Sequence, residues 1–127
     1  MGKSKGDRRE RECRNLLKML GYNVESPNYT RYGNTDFWNL FDVMAGNGDR
    51  LVFVQVKSNS TGGALKKIGN NVGFLPESIE KEIWVCYDRD GWRVLRLVDG
   101  EWVEVVDGRD YIGNMGDGVL KDYRDSY

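Results

Sequence analysis

The sequence contains no histidine. Ser-His-Asp triads, Cys-His dyads, histidine-metal nucleases and the usual zinc deaminase sites are therefore excluded. Any acid–base chemistry must come from carboxylates, lysine, tyrosine or a bound metal. Cysteine is scarce, with only Cys13 and Cys86. Cys13 shares a helical face with Leu16, Leu17 and Leu20, and Cys86 lies in the apolar run "EIWVCYD". Both read as small core residues rather than as ligands or a disulfide. No apolar run approaches the ~18 residues of a membrane span. The opening "MGKSKGDRRERE" lacks the apolar centre of a signal peptide. These absences lead us to expect a cytoplasmic protein with no membrane contact. An excess of one charge sign is also missing, since the net charge is −1.

What is present fits one domain: 127 residues, 39% hydrophobic and 12% aromatic, enough for a core. The balanced total hides an asymmetry. Residues 1–20 hold seven Lys/Arg against three Asp/Glu, and residues 99–127 hold three against eight. The N-terminal part can present a basic face, or it is an ordinary solvated helix with a basic tail.

"DRRERECRNLLKMLG" predicts a helix from about Asp7 to Leu20, with Asp7 as N-cap, Glu10 as its capping-box partner and Gly21 at C′. "YNVES" is a short strand. Residues 27–39, "PNYTRYGNTDFWN", show no clear period and read as a loop. Strands follow near Leu40–Ala45 and Leu51–Lys57, then a flexible "NSTGG" link and a short helix in "ALKKIGNNV". "EIWVCYD", "GWRVLRLV" and "EWVEVV" are three more strands, punctuated by "DRDG" and "DG" turns. The order predicts an α/β domain around one mixed sheet, spanning residues 1–106. Residues 107–127, acidic and Gly-rich, read as a tail or a dimer arm.

The hairpin "FDVMAGNGDRLVFVQVKS" (residues 41–58) carries three polar side chains in otherwise apolar strands. With residues 47–50 as a four-residue loop, Gly46 faces Leu51, Ala45 faces Val52 and Asp42 faces Gln55. The period of two puts Gln55 and Lys57 on one face, and Val52, Val54 and Val56 on the other. Asp42, Gln55 and Lys57 then share one patch, a result that a one-residue slip destroys. An aspartate beside an amide carbonyl suits a hard cation. Mg²⁺ accepts two such ligands plus a backbone carbonyl, here that of Val56, and a phosphate oxygen. Metal and lysine together supply an activated water and offset developing charge, the requirements of phosphodiester hydrolysis. The bland alternative is a polar strand start, a solvated glutamine and a lysine snorkelling at a strand end.

Glu10 lies near Leu17 and Cys13 around the helix, at the edge of the face turned to the sheet. It can reach the patch as a ligand or through water, or it can serve the capping box.

Two stretches, "KGDRRERECRNLLKMLGYNV" and "FDVMAGNGDRLVFVQVKS", resemble the archaeal-type Holliday junction resolvases of the PD-(D/E)xK nuclease superfamily. In that family a Lys-Gly step opens a helix bearing Glu-Arg-Glu, and an AGNG strand and turn leads to (E/Q)VK. The resemblance implies a restriction-endonuclease-like core, a mixed central β-sheet flanked by helices. It implies a Mg²⁺-dependent endonuclease, with Mn²⁺ substituting, that acts as a homodimer on four-way DNA junctions. Carried over by position, Asp42, Gln55, the Val56 carbonyl and Glu10 form the metal set, and Lys57 assists the water. Arg11 falls at the family's basic helix position, and the DNA contacts expected overall are Lys5, Arg8, Arg9, Arg11, Arg31, Tyr32 and Ser58.

Two departures from the family stand out. Gln55 replaces the usual glutamate and removes one negative charge. About ten extra residues lie in the 27–39 loop, where Tyr29, Arg31 and Tyr32 are placed to meet DNA backbone or unpaired bases. Phe37 and Trp38 are expected to anchor that loop to the domain. Rival readings are a same-fold nuclease for flaps, single strands or specific duplex sites, and a branched-DNA-binding protein that has lost catalysis.

Overall fold

The computed structural model describes residues 5–27, 29–30, 33–34 and 36–105. Helix α1 spans Lys5–Met19. It begins before Asp7, which thus lies within the helix rather than at the N-cap expected for it. The C-terminus follows expectation. Gly21 takes φ +96°, a conformation that suits a residue without Cβ. The Gly21 N–H then bonds to the Lys18 carbonyl at 3.0 Å and the Tyr22 N–H to the Leu17 carbonyl at 3.0 Å, a Schellman closure.

Eight strands follow in chain order: β1 (Asn23–Glu25), β2 (Tyr29–Thr30), β3 (Gly33–Asn34), β4 (Val43–Gly46), β5 (Leu51–Ser58), β6 (Glu80–Tyr87), β7 (Gly91–Val98) and β8 (Glu101–Glu104). Helix α2 (Ala64–Gly69) lies between β5 and β6. Six strands form one sheet in the order β1-β4-β5-β6-β7-β8. Only β5 and β6 run parallel; the other neighbours are antiparallel. A parallel pair needs a crossover, and the segment containing α2 supplies it.

The sheet is covered on both faces, and the period of two sorts its residues. On one face Val43, Ala45, Val52, Val54 and Val56 join Trp84, Cys86, Trp92 and Val94 beneath Cys13, Leu16 and Leu17 of α1. On the other, Phe53, Ile83 and Val85 pack with Leu40, Phe41, Ala64, Ile68 and Val72. Strand β6 feeds both clusters and is buried along nearly its whole length, as a central strand in a two-sided core must be. The buried Glu82 carboxylate accepts hydrogen bonds from Trp84 Nε1 at 2.9 Å and Arg96 Nε at 2.8 Å, which keeps that charge paired. Both cysteines are free thiols within the core. Burial, reinforced by the charge of Glu82, pushes the Cys13 thiol well above its ordinary value, so it is no thiolate.

The described parts of the 27–39 segment hold pairings that its irregular pattern does not predict. Strands β2 and β3 form a separate two-stranded sheet, and Phe37 makes an isolated bridge with Phe41. The expected tail, residues 107–127, lies outside the described residues. No described helix is long and apolar enough to cross a membrane.

Candidate active site

The β4–β5 turn fixes everything near it. Asn47 Oδ1 accepts the Asp49 and Arg50 N–H groups at 2.9 and 2.8 Å, and Gly48 takes φ +96°. These contacts define residues 47–50 as the loop, with Gly46 opposite Leu51, Ala45 opposite Val52 and Val43 opposite Val54. Just beyond the last of these pairs, Asp42 lies outside the strand, and its side chain meets that of Gln55. The Asp42 N–H bonds to the Val54 carbonyl at 2.8 Å. Asp42 Oδ2 accepts Gln55 Nε2 at 2.8 Å and the Val56 N–H at 3.0 Å. Gln55 Nε2 also reaches the Val56 carbonyl at 3.4 Å.

The orientation of Gln55 differs from the sequence reading. Its amide nitrogen, not its oxygen, faces Asp42. A half-turn of the amide group presents the oxygen instead, with no movement of the strand.

Asp42 is 6% exposed. Burial pushes its carboxyl up to about 7, against the opposing hydrogen bond from Val56. The charges of Glu10 and Asp36 and a side-chain hydrogen bond with Asp36 add to the rise. Glu10, on α1, acts on Asp42 through its charge. Lys57 follows Gln55 by two residues on the same strand face, about 7 Å along by strand rise. Its amine lies beside Gly62. With Gly6, Arg9, Val56, Ser58 and Ser60 it lines a cavity of ≈ 230 Å³.

Sequence reasoning missed Asp36. The N–H groups of Leu40 and Phe41 bond to the Phe37 carbonyl at 2.9 and 3.1 Å, and the Phe37 N–H bonds to the Phe41 carbonyl at 2.9 Å. Trp38 and Asn39 both take positive φ, 50° and 58°, as in a type I′ turn. With Phe37 opposite Phe41, the next pair outward is Asp36 and Asp42. The signal was in the mirrored run Asp-Phe-(Trp-Asn-Leu)-Phe-Asp, in which Asn marks a left-handed turn position.

The expected DNA contacts divide. Arg8 and Arg11 are exposed on α1. Arg9 is not, and that expectation is corrected. It is buried, donating to Glu12 Oε2 at 2.8 Å and to Asp88 Oδ1 at 3.0 Å, and so joins α1 to the end of β6. Ser58 Oγ is buried with no hydrogen-bond partner among the described residues. Arg31, Tyr32 and the Lys5 side chain lie outside the described residues. Phe37 anchors its turn to the core beside Phe53, with ring centroids 5.8 Å apart. Trp38 does so only along one edge, against Phe53 and Phe74, and is 53% exposed. A ring at a left-handed position on a turn tip cannot enter the core.

No protein-family model matches the sequence, and no curated protein matches it. A solved structure does. It is Hjc, a Holliday junction resolvase from the archaeal hyperthermophile Archaeoglobus fulgidus. The match has a TM-score of 0.52 and 18% identity, and covers 93% of this chain and 88% of that one. The chain has the resolvase fold. Its mixed six-stranded sheet with flanking helices is the restriction-endonuclease-like core.

The donor set at Asp42 suits a hard cation: carboxylate, amide and main-chain oxygens, without sulfur or imidazole. Among the described residues no three His, Cys, Asp or Glu side chains converge into a ready-made metal cluster. Any centre here must therefore draw on the amide of Gln55 and on the backbone.

Proposed function

We propose that this protein is a metal-dependent DNA endonuclease that resolves four-way junctions as a homodimer. The observation that carries the reading is the pairing of Asp42 with Gln55 across β4 and β5, two residues before Lys57, in the fold of a resolvase. Asp42, the Gln55 amide oxygen and the Val56 carbonyl would hold Mg²⁺ or Mn²⁺, with Glu10 at the rim. Bound there, the cation would polarise a phosphate oxygen and favour hydroxide over water. The chain's own residues do the rest. The Val56 N–H and the Gln55 amide fix the Asp42 carboxylate in one orientation. The core valines beneath β5 hold that strand rigid. Lys57 contributes a positive charge and a proton donor beside the cavity it lines. Arg8 and Arg11 offer exposed charge to the phosphate backbone.

A second reading has one observation in its favour. The Gln55 amide nitrogen donates to Asp42 Oδ2, a partner for the carboxylate from within the protein, as in a branched-DNA-binding protein that no longer cuts. One assay separates the two. An immobile four-way junction, a flap, a single strand and plain duplex are incubated with the protein in Mg²⁺ or in EDTA. Selective junction cleavage that needs Mg²⁺ and disappears in Asp42→Asn is the expected result. Junction binding without cleavage in Mg²⁺ or Mn²⁺ selects the second reading. Cleavage confined to flaps, single strands or duplex overturns the junction assignment and keeps the nuclease.

A further inference from the structure

Asp36 and Asp42 flank the Phe37–Phe41 bridge on its outer side, so continuing that pairing by one step brings them together, and the charge of Asp36 acts on the Asp42 carboxyl. Asp42 Oδ2 also accepts Gln55 Nε2 at 2.8 Å, just beyond the last β4–β5 pair. Asp42 thus stands between Asp36 on the turn side and Gln55 on β5. Two acids directly opposite on paired segments repel and destabilise the pairing. The turn that creates the pair also holds a tryptophan at φ 50°, which costs further energy. A local arrangement that opposes folding on two counts points to a functional constraint. Burial sharpens the point, because water cannot screen a carboxylate that is 6% exposed.

We propose that Asp36 is a ligand of the divalent cation at Asp42 and supplies the negative charge that is missing at Gln55. This rests on the metal-centre reading above. A glutamate opposite Asp42 would give the cation two anionic ligands from β4 and β5 alone. Here β5 offers a neutral amide, and the second anion comes from the other neighbour of Asp42. The 27–39 insertion then acquires a chemical purpose: it carries a carboxylate back to the metal centre.

The test is calorimetric titration of Mn²⁺ into the full chain, without DNA. Five proteins are compared: wild type, Asp36→Asn, Asp42→Asn, Gln55→Glu and the double variant Asp36→Asn/Gln55→Glu. Binding that is lost in Asp42→Asn, weakened at least tenfold in Asp36→Asn and restored in the double variant is the expected pattern. Restoration decides the matter, because a fold damaged at residue 36 is not repaired by a charge at residue 55. Wild-type affinity in Asp36→Asn, with binding still lost in Asp42→Asn, overturns the role of Asp36 and leaves the metal centre standing. Equally weak binding in Asp36→Asn and the double variant overturns the charge account. Mn²⁺ binding indifferent to Asp42→Asn, or no binding by the wild type, overturns the metal centre and this inference together.

Discussion

Asp42 is the central ligand of the proposed metal centre, and its burial makes a stability prediction. Its folded carboxyl sits near 7, above the ordinary 3.8. The folded state therefore holds its proton more tightly than the unfolded state does. The resulting stabilisation is complete below about pH 4 and is lost as pH rises through about 7, on the order of a few kcal/mol. In EDTA the melting temperature of wild type should fall over that window relative to Asp42→Asn, which has no proton to lose. Mn²⁺ at pH 8 should raise the wild-type melting temperature and leave the variant unmoved. Parallel pH profiles for the two proteins would remove Asp42 as the source. Asp42 and Gln55 were legible in the sequence because a period of two and a four-residue loop leave only one register that buries the valines. Asp36 was not, because its position depends on a turn with a tryptophan at positive φ, which propensity argues against. Nor was the amide orientation of Gln55, which rests on a hydrogen bond rather than on a pattern.

At the scale of elements, the arginines of helix α1 divide between two environments. Arg8 and Arg11 face solvent, whereas Arg9 is buried between Glu12 and Asp88. Replacing Arg8 and Arg11 by alanine should leave the melting temperature near wild type. It should also flatten the salt dependence of junction binding by roughly two units of log–log slope, about 0.9 per lost phosphate contact. Arg9→Ala should instead destabilise by about 1–3 kcal/mol, through the charge-assisted hydrogen bonds it removes. Thermal melts and binding isotherms at several salt concentrations check both, and an unchanged slope in the Arg8/Arg11 variant would take α1 off the DNA face. The helix itself was readable from the spacing of Cys13, Leu16 and Leu17 and from Gly21. The fate of Arg9 was not, since Asp88 is 79 residues away in sequence. The same contrast runs through the sheet. Each strand from β4 to β8 announced itself by alternation or by a bounding turn, while the parallel pairing of β5 with β6 followed only from the crossover through α2.

At the scale of the whole molecule, the proposed substrate sets a requirement of its own. Resolving a four-way junction takes two cuts in opposed strands, related by the junction's approximate twofold symmetry. Among the described residues the chain offers one proposed centre at Asp42, so the proposed paired cutting calls for a second copy related by a matching twofold axis. Light scattering at micromolar concentration should then give about twice the 14.6 kDa of the chain. Mixed dimers carry the argument further. A dimer pairing one wild-type subunit with one Asp42→Asn subunit should nick a supercoiled cruciform plasmid, whereas the wild-type dimer should linearise it. The two products separate on an agarose gel. Linearisation by the mixed dimer would mean that one site cuts both strands in turn, and a monomer that linearises the plasmid would dispose of the twofold account altogether.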